Sequence, residues 1–332
     1  MKKYSILVLN SNTGNKKKEE SIVVSIIIVT YNSENDIVEC VNSVRRQNIP
    51  CEIFIVDNAS TDNTREVILE MARDYDVIKP IFNVKNMGLA YANNQPLDMC
   101  AGEYILILNP DTILYDSSLN TMMTCIDKND AIGIVGPKSY FDNGKAHISY
   151  HYNWTISHVI LWRFFPSSLV RYMYDQVFGK YKEGEVMFVS GACLLIKTWL
   201  FRKVNGYDIN YFLAIEDVVD LCTRVKKLGY STHYCPSATV MHIGGNSNRQ
   251  AKLTSLHRIY QGALYHIWKY KGETVTLYAR YLLVINLYIR RLISFALIPF
   301  DSDKYRDRYS RYKIVISKIK AEDFADMQST HI

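Results

Sequence analysis

Between Ile22 and Val29 the chain runs through eight residues that are almost all β-branched or aliphatic, with no polar alternation. A strand with one wet face would alternate, so this run fits a strand buried on both sides, as parallel sheets require. The next eighty residues repeat the unit. A polar turn at Thr30–Asn35 leads to helical spacing at Ile37, Val41 and Val44. A second buried run at Cys51–Val56 ends in Asp57-Asn58-Ala59-Ser60, before an amphipathic stretch carrying Val67, Ile68 and Met71. A strand is predicted at Val77–Phe82, a helix opening at Asn86-Met87-Gly88, and a strand at Tyr104–Leu108 that ends in Asn109-Pro110-Asp111. Strands and helices in this alternation predict a doubly wound, Rossmann-like α/β domain with a mostly parallel sheet.

In such sheets ligands sit beyond the carboxyl ends of the strands. Thr30-Tyr31-Asn32, Asp57-Asn58 and Asn109-Pro110-Asp111 occupy those ends. One polar turn is ordinary turn chemistry; three strand ends bearing Asp or Asn point to a site. The sequence lacks G-x-G-x-x-G after a strand and lacks G-x-x-x-x-G-K-[ST], against a dinucleotide dehydrogenase or a P-loop NTPase. It also lacks H-E-x-x-H and G-x-S-x-G, against a zinc protease or a serine hydrolase.

Of the 332 residues, 48% are apolar and 22% charged, enough for a sizeable core. The net charge of +6 is unevenly placed. Residues 251–320 hold fourteen Lys/Arg against four Asp/Glu, a net of +10, which leaves −4 for the remainder. That asymmetry implies an anionic surface as partner of the C-terminal part; no nucleic-acid partner is expected. The seven cysteines form no C-x-x-C pair, so a zinc site or disulfide framework is not indicated and a reducing compartment is. The apolar run Ile6–Leu9 is too short for a signal peptide, and residues 1–21 read as an extension and linker.

Taken in order, V-S-I-I-I-V-T-Y-N-S at 24–33, I-V-D-N-A-S-T-D at 55–62, N-M-G-L-A at 86–90 and Y-I-L-I-L-N-P-D-T at 104–112 resemble family 2 glycosyltransferases of the GT-A fold. S-G-A-C-L-L-I at 190–196, G-Y-D at 206–208, E-D at 216–217, D-L-C-T-R at 220–224 and H-I-G-G-N-S at 242–247 continue the match, over roughly residues 22–250. N-P-D in place of D-x-D is most similar to the bacterial rhamnosyltransferase branch. The resemblance implies sugar transfer, with inversion, from a dTDP- or UDP-sugar to a glycan or polyprenyl-linked acceptor. L-Rhamnose from dTDP-L-rhamnose is the first expectation for the donor, and surface polysaccharide synthesis the implied setting.

The resemblance also implies roles for residues. Asp57 would accept from the pyrimidine N3–H, with Thr30 and Tyr31 flanking the base and Asn86, Gly88 and Asn94 lining the same pocket. The departing diphosphate gathers negative charge, which a divalent cation such as Mg2+ or Mn2+ stabilises, and such hard cations prefer carboxylate oxygen. Asp111 is the expected ligand and His242 a further metal or phosphate contact; Asn109 lacks a charge and would serve the ribose or a metal-bound water. The acceptor hydroxyl needs a base. Asp217 is the candidate, with Gly191, Glu216 and Asp220 as acceptor contacts or supports. Each has a plainer reading beside it: an Asx-turn for Asp57, helix capping for Glu216 and Asp217. The family pattern E-D-V-D-L-C is one residue longer here, so Asp217 and Asp220 cannot both keep the family register unless the helix loosens, for example as a π-bulge.

From Thr274 to Pro299 the chain is strongly apolar but broken by Arg280, Arg290 and Arg291. Its charge-free stretches, 281–289 and 292–300, are about half of the ~20 residues a spanning helix needs. A helix lying on an anionic lipid surface fits, and with it a place in the cytoplasm, peripheral on the inner face of the cell membrane. A helix pair packed on the catalytic domain or in a homodimer interface is the alternative. Residues 251–332 are thus expected to form a basic, helical C-terminal region. Two other classes stay open at this level: a metal-dependent nucleotidyltransferase, and a sugar-nucleotide binding protein without catalysis.

Overall fold

The computed structural model describes residues 21–151, 182–211, 216–243 and 252–321. The extension at 1–20 and the lead-in at 212–215 lie outside these residues, as does the end of the H-I-G-G-N-S motif. The first half follows the expected alternation: β1 (Val24–Thr30), α1 (Ile37–Arg45), β2 (Cys51–Asp57), α2 (Thr64–Asp74), β3 (Ile78–Phe82), α3 (Leu89–Asn94) and β4 (Tyr104–Leu108). After it come β5 (Thr112–Leu114), α4 (Ser118–Ile126), β6 (Ile132–Tyr140), β7 (Ala146–His147) and β8 (Tyr150–His151). The domain closes with β9 (Gly184–Val186), β10 (Phe188–Val189), β11 (Cys193–Lys197), α5 (Thr198–Lys203), α6 (Glu216–Lys227) and β12 (Ser231–His242).

The main sheet runs β3-β2-β1-β4-β11-β6-β12-β5. β1, β2, β3 and β4 are mutually parallel, as are β6 and β12; β11 lies antiparallel between the two groups. Successive residues of a strand face opposite sides of the sheet, and both sides are dry here. Ile26, Ile28, Ile53 and Leu106 pack with Ile37, Val41, Ile68 and Met122 on one face. Ile27, Phe54, Ile107 and Leu194 pack with Leu200, Phe201, Val218 and Leu221 on the other. This two-sided burial is why β1 reads as an unbroken apolar run.

Three further helices follow among the described residues: α7 (Lys252–Lys271), α8 (Glu273–Ala296) and α9 (Ser302–Ala321). Leu264, Ile267, Leu287, Val315, Ile316 and Ile319 give them a core of their own. The end of α7 is nevertheless tied into the α/β domain: Tyr265 Oη donates to Asp208 at 3.0 Å and Tyr270 Oη to Asp220 at 2.7 Å. α7, which precedes the 274–299 segment, is thus the helix that meets the α/β domain, whereas α8, which carries that segment, packs on α7 and α9 and keeps one long face exposed. Among the described residues, no helix is long and apolar enough to cross a membrane.

Candidate active site

Thr30 and Asp57 are register partners at the carboxyl ends of β1 and β2. The Asp57 carboxylate is fully buried. It accepts from Arg65 Nε at 2.8 Å, from the Ser60 N–H at 3.2 Å and more weakly from Thr30 Oγ1 at 3.4 Å. Arg65 occupies the first turn of α2, where the helix dipole disfavours a cation. Its reach to Asp57, and its second bond to the Asn83 carbonyl at 2.5 Å, account for that placement. Sequence reading missed Arg65, although a cation at a helix start just after a strand-end Asp is a usable signal.

Asn86 and Gly88 are organised by Asn58, which the sequence marks only as a polar residue at the end of β2. Asn58 Nδ2 donates to Asn86 Oδ1 at 3.0 Å and to the Gly88 carbonyl at 3.3 Å, while its Oδ1 accepts from the Met87 N–H at 2.9 Å. Asn83 bonds back to Asn58 and exchanges two 2.9 Å bonds with Gln95. The β3–α3 loop is thus fastened to the end of β2, with Tyr31 half-buried after β1. Asn94 stands apart: its amide both donates to and accepts from the Tyr207 backbone at 2.8 Å. Gly206, with φ at +64°, leaves room for it, since a Cβ there would lie 2.2 Å from Asn94 Oδ1.

After β4 the chain turns through Asn109-Pro110-Asp111, and β5 pairs with β12 so that Thr112 faces His242. The Ile243 N–H donates to the Asp111 carbonyl at 3.0 Å. This pairing sets His242 Nε2 3.3 Å from Asp111 Oδ1. Among the described residues His242 Nδ1 is buried without a hydrogen-bond partner. A carboxylate and an imidazole at this spacing can share one cation at the usual ~2.0–2.2 Å from each. Among the described residues no third carboxylate, thiol or imidazole joins them in a metal-binding cluster, although the His147 ring stands edge-on to His242 at 5.7 Å; water and diphosphate oxygens would complete such a shell. The donor set fits a hard divalent cation.

The Ser190–Ala192 loop joins this turn to the start of α6. Ala192 accepts from the Asn109 N–H at 2.9 Å, and a Cβ on Gly191 would lie 2.8 Å from Val218 Cγ2. Val218 follows Asp217, which is 3% exposed. Burial pushes the Asp217 carboxyl up to about 8, with the charges of Glu216 and Asp220 adding to it; the Val218 N–H, 2.6 Å from Oδ1, pulls the other way. A carboxyl raised in this way is a competent proton acceptor near neutral pH.

The helix absorbs its surplus residue without loosening: α6 is α-helical from Glu216 onward. Asp220, one turn further on, is fully buried and fully engaged. Arg224 Nε lies 2.7 Å from one oxygen; Lys269 Nζ at 2.6 Å and Tyr270 Oη at 2.7 Å take the other. Lys269 also contacts Asp208 at 2.6 Å. Glu216 is buried beside them.

Known proteins are similar to this chain in sequence and fold. Residues 25–204 match the model of Glycosyl transferase family 2. The chain is 27% identical over 208 residues to the N-acetylglucosaminyl-diphospho-decaprenol L-rhamnosyltransferase of Mycobacterium tuberculosis, with 58% of this chain and 66% of that protein covered. It is 25% identical over 235 residues to the rhamnosyltransferase WbbL of Escherichia coli, covering 68% and 86% respectively. In fold it is similar to a Pyrobaculum calidifontis mannosyltransferase solved with GDP-Man and Mn2+, at TM-score 0.53 and 16% identity over 90% of this chain and 87% of that one. It is also similar to GalNAc-T7 solved with UDP, GalNAc and Mn2+, at TM-score 0.57 and 13% identity over 95% and 57%. The chain spans just under two thirds of the mycobacterial relative's length; the matched region takes in β1, β2 and β4 with the polar turns at their ends, and more than half of the whole, so the chain belongs to glycosyltransferase family 2 and has the GT-A fold.

Proposed function

We propose that this enzyme transfers L-rhamnose from dTDP-L-rhamnose, with inversion, to a polyprenyl-linked glycan in surface polysaccharide synthesis. The single observation that carries the mechanism is the contrast between two acids on α6. Asp217 is buried with a raised pKa and, among the described residues, pairs with no cation, while Asp220 is held by Arg224 and Lys269. A base must be free to receive a proton, and Asp217 is the one with that freedom.

In this reading the acceptor hydroxyl oxygen attacks the anomeric carbon as its proton passes to an Asp217 carboxylate oxygen. The bond from that carbon to the diphosphate oxygen breaks, and the nucleoside diphosphate leaves with the electron pair. Asp111 and His242 would hold a divalent cation, Mg2+ or Mn2+, which supplies charge neutralisation to the leaving diphosphate. Asp57, flanked by Thr30 and Tyr31, faces the base of the nucleotide; Asn86, Gly88 and Asn109 shape the loop edges around it. Asn94 serves this pocket indirectly, by fixing the 206–208 turn to α3.

Two relatives named as rhamnosyltransferases support the donor sugar. The decaprenol-linked substrate in the mycobacterial name supports a lipid-linked acceptor and a position on the inner face of the cell membrane, in the cytoplasm. A screen of nucleotide sugars for thermal stabilisation and diphosphate release tests the assignment. Stabilisation by dTDP-L-rhamnose above UDP-hexoses is expected; preference for a UDP-hexose would reassign the donor.

A further inference from the structure

The exposed face of α8 has no explanation in the catalytic scheme. Every exposed side chain between Leu277 and Phe295 is Leu, Ile, Tyr or Phe. Tyr278 (70% exposed), Tyr281, Ile285, Ile289, Leu292 (67%) and Phe295 recur at helical spacing along one side. The opposite side, with Ala279, Val284 and Leu287, packs against α7 and α9. The arginines that break the apolar run in the sequence, Arg280, Arg290 and Arg291, are each half-buried and none is among the exposed residues. Arg290 Nε bonds Asn286 Oδ1 at 3.0 Å, and the Arg291 guanidinium stacks 4.4 Å over Tyr309. A helix apolar on both sides is normally covered on both.

We infer that this face of α8 docks on an anionic lipid bilayer, lying in the interface with its aromatic and aliphatic side chains among the lipids. The inference deepens the reading of a lipid-linked acceptor and rests on it for the membrane's presence. Charge selects the occupant. Residues 251–320 carry a net +10, and the exposed bases Arg306, Arg308, Lys313 and Lys318 lie on the adjoining helix α9. Lys320, also on α9, borders the apolar face directly, with Nζ 3.2 Å from Tyr288 Oη. An apolar stripe with a basic rim is the pattern of an interfacial helix, and tyrosines suit the headgroup level. A second copy of the chain fits less well. It would bring two +10 regions together through a stripe of about 36 by 10 Å, roughly half the ~800 Å² per partner of a stable interface. The tie from α7 to Asp208 and Asp220 then fixes the catalytic domain relative to the lipid surface.

Flotation of the full chain with phosphatidylcholine vesicles, with and without phosphatidylglycerol, tests this. The wild type should float with the mixed vesicles and bind pure phosphatidylcholine about tenfold more weakly. Ile285→Glu with Leu292→Glu should abolish flotation while diphosphate release from the donor, measured without vesicles, stays unchanged. If that pair melts, Tyr278→Ser with Tyr281→Ser carries the same test. Equal flotation of the variant overturns the inference, and so does a wild type that stays soluble, as a monomer or as a dimer that the substitutions split. The two readings fail separately: flotation without donor turnover sinks the enzymatic assignment alone, and turnover without flotation sinks the docking face alone.

Discussion

Lys269, on the last turn of α7, places its ammonium 2.6 Å from the buried carboxylate of Asp220 on α6. The same nitrogen contacts Asp208, so one cation from the C-terminal helices neutralises two acids of the catalytic domain. The contact fixes α6, and with it the acid at its start, against α7.

Removing that cation should therefore cost stability. Lys269→Ala leaves Asp220 with Arg224 and Tyr270 among the described residues, so a loss of about 2–3 kcal/mol is expected, below the ~3–5 kcal/mol of a buried pair broken outright. Burial raises the Asp208 carboxyl, but the bonds from Lys269 and Asn210 outweigh it and the net shift is downward. A carboxylate depressed in the folded state stabilises above its unfolded pKa and loses that contribution as pH falls through its folded one. The difference between wild type and Lys269→Ala in urea unfolding should shrink as the pH is lowered through the carboxylate range. A difference that is constant with pH would contradict the ion-pair account.

Asp217 predicts the opposite sign. Its folded pKa is raised, so folding is favoured below the unfolded value near 4 and progressively disfavoured as pH rises toward about 8. Asp217→Asn should raise Tm, and by more at about pH 9 than at about pH 5. A variant less stable than wild type at high pH would mean that the carboxylate is held by favourable contacts instead.

Asp111 and His242 make the metal reading testable. EDTA should inhibit, Mn2+ or Mg2+ should restore activity, and Asp111→Ala should abolish transfer. His242→Gln should raise the metal concentration needed for half-maximal rate. Full activity in EDTA would transfer the charge-neutralising role to Arg and Lys side chains.

At the donor end, Arg65→Ala strips the buried Asp57 of its charged partner. The expected cost is about 1.5–3 kcal/mol, the range for a hydrogen bond to a charged group, together with weaker binding of the nucleotide in a thermal-shift titration. Unchanged affinity would argue that Asp57 does not face the base.

Much of this was legible in the residues themselves. Burial on both faces forces strands such as β1 and β4 into unbroken apolar runs, and the register of parallel strands brings Thr30 beside Asp57. The legible part ends where contacts become distant. Nothing local marks Asn94 as the partner of Tyr207, 113 positions away, or Lys269 as the partner of Asp220. β11 also escapes a local reading, because its antiparallel insertion beside β4 depends on the sheet already being there. On α8, counting arginines along the chain suggested a broken apolar segment; helical rotation puts them on the sides and leaves the outer face uncharged.

The most direct test of the account is the initial rate of nucleoside diphosphate release from dTDP-L-rhamnose with a polyprenyl-linked acceptor, compared for wild type, Asp217→Asn and Asp220→Asn. The account predicts a loss of at least ~10²-fold for Asp217→Asn with donor affinity retained, as expected when a general base is removed. For Asp220→Asn it predicts a smaller loss, tracking lowered stability. An inactive Asp220→Asn beside an active Asp217→Asn would contradict it and move the base one turn along α6.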